Sequence, residues 1–309
     1  MLLAEFAVDP DTIADWKALA LIEARFGFHN GAVIPEFPKT WLRDLSQKAR
    51  KELYGSAQYS KVEERLRDLK QGYLVGSGRP YLGDKSWFEN ARAQRDGKPF
   101  HRIVTPHEAD ADDVCDIWGL SDSDFDDLHD TQIQKKAKSY SEATCLLLAN
   151  SKSIKFVDPY FSGRRGYQKG LRCLLEAAGM GKRRNFAKVE VHTSDLAVEK
   201  GKPFDLEHEK SLVRQNIPPL LTAGFEVIFY WWKDSGKKEV HPRYLMTERA
   251  GIRFDRGFNI PSELDAQEGV TDVTMMKPQK LNTEWNRYRP EATVFQSLDN
   301  FRVVGTAQE

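Results

Sequence analysis

Helical spacing of apolar residues marks the first third of the chain. Trp16 and Ala20 lie about one helical turn apart, and further apolar residues follow at the same interval, a pattern that gathers them on one buried stripe. Two later segments predict two more helices: one starts at Pro38 or Thr40 and runs toward residue 54, and one covers residues 61–71 after the capping Ser60. We therefore predict a mainly helical N-terminal domain over residues 1–106, and we expect it to supply specificity or a surface for a protein partner.

Short apolar runs alternate with helical patterns from residue 139 onward. The predicted strands share a richness in Val, Ile and aromatic residues and cover residues 154–157, 188–193, 226–232 and 241–247. Pro218 and Pro219 should kink or divide the helix, predicted over 206–223, that precedes the third of these strands. An alternating series of this kind builds a sheet flanked by helices. The predicted fold class is α/β, with a helical N-terminal domain followed by an α/β sandwich domain over residues 139–309.

An acidic tract separates these two regions. Residues 107–130 contain ten Asp and Glu and no Lys or Arg. Asp122, Asp124 and Asp126 place carboxylates at alternate positions, which is one way to hold a divalent cation, but the tract lacks the glycine and the terminal glutamate of an EF-hand loop. A solvated connector over residues 107–138 is the interpretation that we favour.

Charge is unevenly divided although the whole chain is neutral. Residues 151–309 hold 26 Lys and Arg against 21 Asp and Glu, whereas residues 1–150 hold 20 against 25. This excess is compatible with an anionic partner for the second half. The stretch 152–188 concentrates ten basic residues against two acids, which favours either a solvated basic face or a surface that follows phosphates.

Composition limits the classes of protein to consider. No apolar run reaches the roughly 18–20 residues that a membrane-spanning helix needs, and the N-terminal sequence lacks the basic region of a secretory signal. We therefore expect a cytoplasmic protein without a transmembrane segment. The three cysteines are scattered without a C-x-x-C pair, so we predict neither a disulfide framework nor a zinc site, and no metal or cofactor.

The strongest candidate site lies between residues 241 and 259. On a strand, His241 and Arg243 project from the same face, because alternate side chains share a face. An imidazole can act as a nucleophile, and a guanidinium can bind two phosphate oxygens at once. Glu248 and Asn259 follow at wider intervals. The spacing predicts a phosphodiester site, with a buried strand histidine and a structural ion pair of Arg243 as the alternative.

These residues resemble the half-site of the phospholipase D superfamily, H-x-K-x4-D-x6-G-S-x2-N. His241 and Asn259 are in register with it, Arg243 stands at the lysine, Glu248 at the aspartate, and Asp255-Arg256 at the Gly-Ser pair. The resemblance implies that His241 attacks phosphorus, that Arg243 and Asn259 hold the phosphate, and that Glu248 orients the other groups.

Further blocks extend the resemblance over about half of the chain, from residue 140 to the end. They are the I-K-F-V-D-P-Y segment at 154–160, the segments 189–194 and 224–230, and R-G-F-N at 256–259. Together they are similar to the truncated phospholipase D-like domain found at the C-terminus of some MIT-domain proteins and in uncharacterised bacterial chains. That resemblance implies one of two functions. The first is a metal-independent phosphodiesterase, a nuclease that family context connects with bacterial defence against foreign DNA. The second is a non-catalytic module that binds phosphate-bearing lipid, nucleic acid or a protein partner.

A single half-site leaves the mechanism incomplete, since a second histidine must protonate the leaving oxygen. We therefore expect a homodimer with two facing half-sites. Arg164, Arg165 and Arg256 are the predicted additional phosphate contacts. Asp158 and His192 are expected near the site, where Asp158 favours a turn-fixing role and His192 favours a place in the core.

Overall fold

The computed structural model describes residues 2–12, 16–53, 55, 57–106, 111–180, 188–196, 203–234, 242–261, 269–292 and 294–307. The chain forms two compact units, Met1–His129 and Asp130–Glu309. Each unit has its own β-sheet and its own helices, so the fold class is mixed α/β. No helix in the described parts of the chain combines the length and the apolar character needed to cross a membrane.

The first unit is built on a five-stranded sheet. Its strands are β1 (Ala4–Val8), β2 (Ala32–Glu36), β3 (Leu74–Gly76), β4 (Arg102–Val104) and β5 (Val114–Cys115). They are ordered β3-β2-β1-β4-β5, and all neighbouring pairs are parallel. The helices are α1 (Trp16–Arg25), α2 (Trp41–Leu53), α3 (Ala57–Gly72) and α4 (Trp87–Arg92), with short 3-10 turns at Phe28–Asn30, Asp122–Asp124 and Asp126–Leu128.

This sheet corrects the prediction of a mainly helical N-terminal domain. Every residue of β1 is buried, and four of the five residues of β2 are buried. A parallel strand covered on both faces does not alternate between polar and apolar residues, so it lacks the signal by which strands are recognised. The predicted helices at 38–54 and 61–71 correspond to α2 and α3.

The acidic tract is not a connector in its described part. Ile117, Leu120, Phe125 and Leu128 belong to the core of the first unit. Their acidic neighbours are held by cations of the same unit: Asp122 is paired with Arg25, and Asp124, which is 5% exposed, is paired with Arg102. The prediction of a connector over 107–138 is therefore wrong for residues 111–129, because apolar side chains among the acids anchor the segment.

The second unit contains an eight-stranded sheet. Its strands are β6 (Asp130–Gln134), β7 (Ser153–Val157), β8 (Lys188–Ser194), β9 (Glu226–Trp232), β10 (Tyr244–Thr247), β11 (Gly251–Phe254), β12 (Val270–Met275) and β13 (Ser297–Val304). They are ordered β13-β9-β8-β7-β10-β11-β12-β6. The helices are α5 (Ala137–Ala149), α6 (Arg165–Ala177), α7 (Leu206–Asn216) and α8 (Pro278–Arg287), and a 3-10 turn covers Pro218–Leu220.

The central strands β7, β8 and β9 are parallel, whereas β10 runs antiparallel to β7. The strands predicted at 154–157, 188–193 and 226–232 are confirmed, as is the division of the helix before Pro218. Of the strand predicted at 241–247, the structure describes Tyr244–Thr247 as a strand, and His241 lies outside the described residues.

The two faces of this sheet have different coverings. On one face, Phe258 packs edge-on against Phe156, and its carbonyl oxygen lies against Gly170 of α6. On the other face, Val157 joins Trp232, Tyr244 and Tyr288 in a separate core cluster, to which α8 contributes partly buried side chains. The candidate site lies at one end of β7, toward the face that carries Phe156.

Candidate functional site

The carboxyl end of β7 meets the amino end of β10. Because these strands are antiparallel with Val157 opposite Tyr244, the residue after β7 lies beside the residue before β10. These residues are Asp158 and Arg243, and the Nε atom of Arg243 lies 4.0 Å from Oδ1 of Asp158. We call this pair and the groups around it, namely Tyr160, Arg256 and Gly257, the β7-end site.

Asp158 fixes the backbone of the site. Its side chain is 2% exposed, and its two carboxylate oxygens accept hydrogen bonds of 3.1 Å from the backbone N–H groups of Tyr160 and Phe258. The bond to Tyr160 closes an Asx turn. Burial raises the pKa of Asp158, and the two N–H donors and the charge of Arg243 act in the opposite direction. Asp158 therefore ties the end of β7 to the segment that follows β11.

Gly257 lets that segment approach closely. Its φ angle is +66°, and a Cβ atom there would overlap Oδ2 of Asp158 and lie 2.8 Å from Cδ of Arg243. The buried hydroxyl of Tyr140, on α5, donates a 2.7 Å hydrogen bond to the carbonyl oxygen of Gly257. Glycine is required both for the left-handed backbone and for the space.

Arg243 is oriented but keeps donors for a ligand. Its Nη1 donates a 2.7 Å hydrogen bond to the carbonyl oxygen of Asp255, and its guanidinium carbon lies 5.3 Å from the ring centroid of Tyr160. The side chain is 22% exposed. A guanidinium has five N–H donors in a planar fork that suits phosphate oxygens, and the hydrogen bonds of Arg243 to described residues use one of them.

Two more cations lie at this end of the sheet. Arg256 follows β11, its backbone N–H donates to the hydroxyl of Thr271 at 3.1 Å, and its side chain is 63% exposed. Lys135 follows β6 and is half-buried. Burial lowers the pKa of Lys135, the charges of Arg256 and Arg243 lower it further, and Asp158 acts in the opposite direction. The site therefore gathers positive charge around one buried carboxylate.

Asn259 lies against the first turn of α6. A Cβ atom on Gly166 would overlap the side-chain oxygen of Asn259, and the backbone N–H of Ile260 donates to the carbonyl oxygen of Gly166 at 3.1 Å. Gly170, one turn later, likewise leaves room for the carbonyl oxygen of Phe258. Two glycines on one helix face thus bring residues 258–260 directly against α6, with Asn259 two residues beyond Gly257.

The two predicted basic contacts at the start of α6 differ. Arg164 precedes the helix, and its Nη2 lies 3.3 Å from Oε1 of Glu209, a buried residue of α7. Arg165 is the first residue of α6 and is exposed. The carboxylate beside Arg164 is buried, whereas the one nearest Arg256, that of Asp255, lies 4.0 Å from its Nε and is as exposed as Arg256 itself. The described geometry therefore favours Arg256 over Arg164 as a phosphate ligand.

Glu248 lies at the opposite end of β10, which corrects its predicted role. Its carboxylate oxygens accept hydrogen bonds from the backbone N–H groups of Lys152 at 2.7 Å and Ser153 at 2.9 Å. Five residues of extended chain separate it from Arg243, a distance of about 16 Å. Glu248 secures the start of β7 and does not orient the groups at its end.

His192 lies beside the site in the backbone, because its carbonyl oxygen accepts a 3.0 Å hydrogen bond from the N–H of Asp158, but its side chain faces the other side of the sheet. It pairs in register with Val157 on the face covered by α8, and it is fully buried. Its Nδ1 accepts a 3.1 Å hydrogen bond from the indole N–H of Trp232, and its Nε2 lies 3.2 Å from Oε2 of Glu190. Burial lowers the pKa of His192 to about 4. It is a neutral core histidine, in accord with the place in the core that the sequence favoured.

Sequence reasoning missed Lys135 and Tyr140. Lys135 precedes the predicted domain and Tyr140 lies at its start, both more than 100 residues before Arg243. Lys135 reaches the site through the pairing of β6, and Tyr140 reaches it through the packing of α5. Gly257 belonged to a recognised block, but its close contact with Asp158 depends on tertiary structure. No group of three His, Cys, Asp or Glu side chains among the described residues is arranged to hold a metal ion.

Comparison with known proteins adds no assignment. No protein-family model matches this chain, and no curated protein matches it in sequence.

Proposed function

We propose that the β7-end site binds a phosphodiester and that the chain is a phosphodiesterase of the phospholipase D type, with nucleic acid as its substrate. One observation carries the proposal: Arg243, partly exposed and with donors that the described residues leave unused, is held beside buried Asp158, and Arg256 and Lys135 add positive charge at the same end of the sheet. Bringing like charges together costs free energy, and a bound phosphate would offset that cost.

The proposed reaction proceeds in two steps. The imidazole of His241, assigned from the sequence, attacks phosphorus, and the P–O bond to the leaving oxygen breaks as that oxygen takes up a proton. Water then cleaves the N–P bond and restores the histidine. Arg243 offsets the negative charge of the phosphoryl group in both steps.

The proton for the leaving oxygen comes from the second His241 of a homodimer in this proposal. A two-fold axis repeats each residue of one subunit on the other, so paired half-sites supply one nucleophile and one acid. Cleavage by a protein that remains monomeric would overturn this pairing.

A non-catalytic phosphate-binding module is the second candidate function. Arg243 at the lysine position and Asp255-Arg256 at the Gly-Ser pair favour it, because Arg preserves the charge of Lys but not its pKa, and neither residue of the pair is present here. The guanidinium at the lysine position would suffice for binding.

Cleavage assays separate these candidates. Labelled single- and double-stranded DNA and RNA are incubated in EDTA with the wild type, His241→Ala and Arg243→Ala. Arg253→Ala is the matched control, because Arg253 is exposed on β11 and pairs with Tyr244 on the other face. If the wild type and the control cut the nucleic acid and His241→Ala and Arg243→Ala do not, the phosphodiesterase is supported. If the wild type binds without cutting and Arg243→Ala loses that binding, the non-catalytic module is supported. Neither binding nor cutting by the wild type would refute both.

A further inference from the structure

The end of the sheet that holds Arg243 also holds the end of the edge strand β6. Strands β10, β11, β12 and β6 are neighbours, and each successive pair is antiparallel. The start of β10, the end of β11, the start of β12 and the end of β6 therefore share one edge. Lys135, the residue after β6, lies at that edge.

Hydrogen bonds across the edge fix where Lys135 stands. Thr271, whose hydroxyl accepts from the N–H of Arg256, pairs in register with Ile133 on β6. The backbone N–H of Lys135 donates a 2.7 Å hydrogen bond to the carbonyl oxygen of Gly269. Strand β6, which leads to Lys135, is the second neighbour of β11, which leads to Arg256, so the two backbones are about 10 Å apart. Two long side chains can bridge that gap.

The charge of Lys135 lacks a nearby acidic partner among the described residues. No carboxylate of the described chain lies within ion-pair distance of its ammonium, and neighbouring like charges make its charged form less favourable. The charges that act on it most are those of Arg256, Asp158 and Arg243. Both oxygens of Asp158 already accept backbone hydrogen bonds.

We propose that Lys135 is a phosphate-contacting residue of the β7-end site, supplied by the edge strand from outside the H-x-R segment. This inference rests on the proposed function. In the order of the strands, Arg256 stands between Arg243 and Lys135. Arg243 binds phosphate oxygens through a planar fork, and the ammonium of Lys135 adds a compact charge on the far side of Arg256. The ligand is a nucleic-acid strand, because the cations come from separate strands along an edge and are not gathered in one enclosed pocket.

Binding of a fluorescent single-stranded oligonucleotide tests this inference. The variants are Lys135→Ala, Lys135→Arg and, as the matched control, Lys136→Ala, since Lys136 is the next residue and is exposed. We expect Lys135→Ala to weaken binding about tenfold and to lower the slope of log affinity against log salt by about 0.7, the value for one lost contact to a single strand. Lys135→Arg should restore most of both, and Lys136→Ala should change neither.

The outcomes distinguish this inference from the proposed function. If Lys135→Ala matches Lys136→Ala in affinity and salt slope while Arg243→Ala loses binding, Lys135 has no such role and the proposed site stands. If the wild type does not bind the oligonucleotide, the proposed function fails as well. Circular dichroism checks that Lys135→Ala is folded, and if it is not, Lys135→Gln takes its place with the same expected losses.

Discussion

Replacing Gly257 by alanine should strain the β7-end site in two measurable ways. The residue has a φ angle of +66°, and a left-handed backbone costs an alanine roughly 1–2 kcal/mol. The new Cβ atom would also overlap Oδ2 of Asp158 and lie 2.8 Å from Cδ of Arg243. Forcing an extra carbon into a packed site costs about 1–3 kcal/mol. We therefore expect Gly257→Ala to lower the free energy of unfolding by about 2–5 kcal/mol.

Gly224→Ala separates the backbone term from the contact term. Gly224 belongs to the same unit and has a φ angle of +80°, but a Cβ atom on it would meet nothing within 4 Å. It should therefore lose only the backbone term, roughly 1–2 kcal/mol. Urea unfolding of both variants, followed by circular dichroism, gives the difference.

The same substitution should impair the proposed ligand site. Because the new carbon displaces Asp158 or Arg243, we expect Gly257→Ala to weaken oligonucleotide binding, whereas Gly224→Ala should bind as the wild type does. Equal losses of stability in the two variants, with binding unchanged in both, would refute the close packing on which this reasoning depends.

Two further predictions concern Glu248 and His192, whose side chains make their contacts away from the β7-end site. Glu248→Ala should destabilise the protein by about 0.5–1.5 kcal/mol, because two exposed backbone N–H groups at the start of β7 exchange their carboxylate for water. Any cleavage per folded molecule should persist, and loss of cleavage in a folded Glu248→Ala protein would restore its orienting role. For His192, the pKa is lowered to about 4 from 6.5, so the unfolded state takes up a proton that the folded state does not. The free energy of unfolding should fall as pH drops from about 6.5 to about 4, by roughly 3 kcal/mol in total. Urea titrations at several pH values should find this dependence absent from His192→Gln, and an unchanged dependence there would assign the effect to other groups.

The sequence predicted the second sheet better than the first. Residues 154–157, 188–193 and 226–232 form strands as expected, because runs rich in β-branched and aromatic residues stand between clear helices. The strands of the first unit have two to five residues. Such runs are too short for their pattern to distinguish a strand from a buried helical turn.

The sequence predicted those site residues that belong to a recognisable local block of sequence. Arg243 was found from the motif and Asp158 from its own block, and the antiparallel register of β7 and β10 brings them together. Glu248 was assigned to the site from the motif alone, whereas its carboxylate binds the backbone N–H groups of Lys152 and Ser153 at the start of β7. Lys135 was missed because its place depends on β6, which pairs with a strand more than 130 residues later.

Strand β6 also determines where the protein can be divided. The first unit ends at His129, and β6 begins at Asp130. A fragment starting at residue 139 would lose β6 and leave β12 as an uncovered edge whose free N–H and C=O groups invite pairing with other chains. It would aggregate, and its failure to bind a ligand would say nothing about Arg243. A fragment starting at Asp130 would keep the edge covered and would retain Lys135.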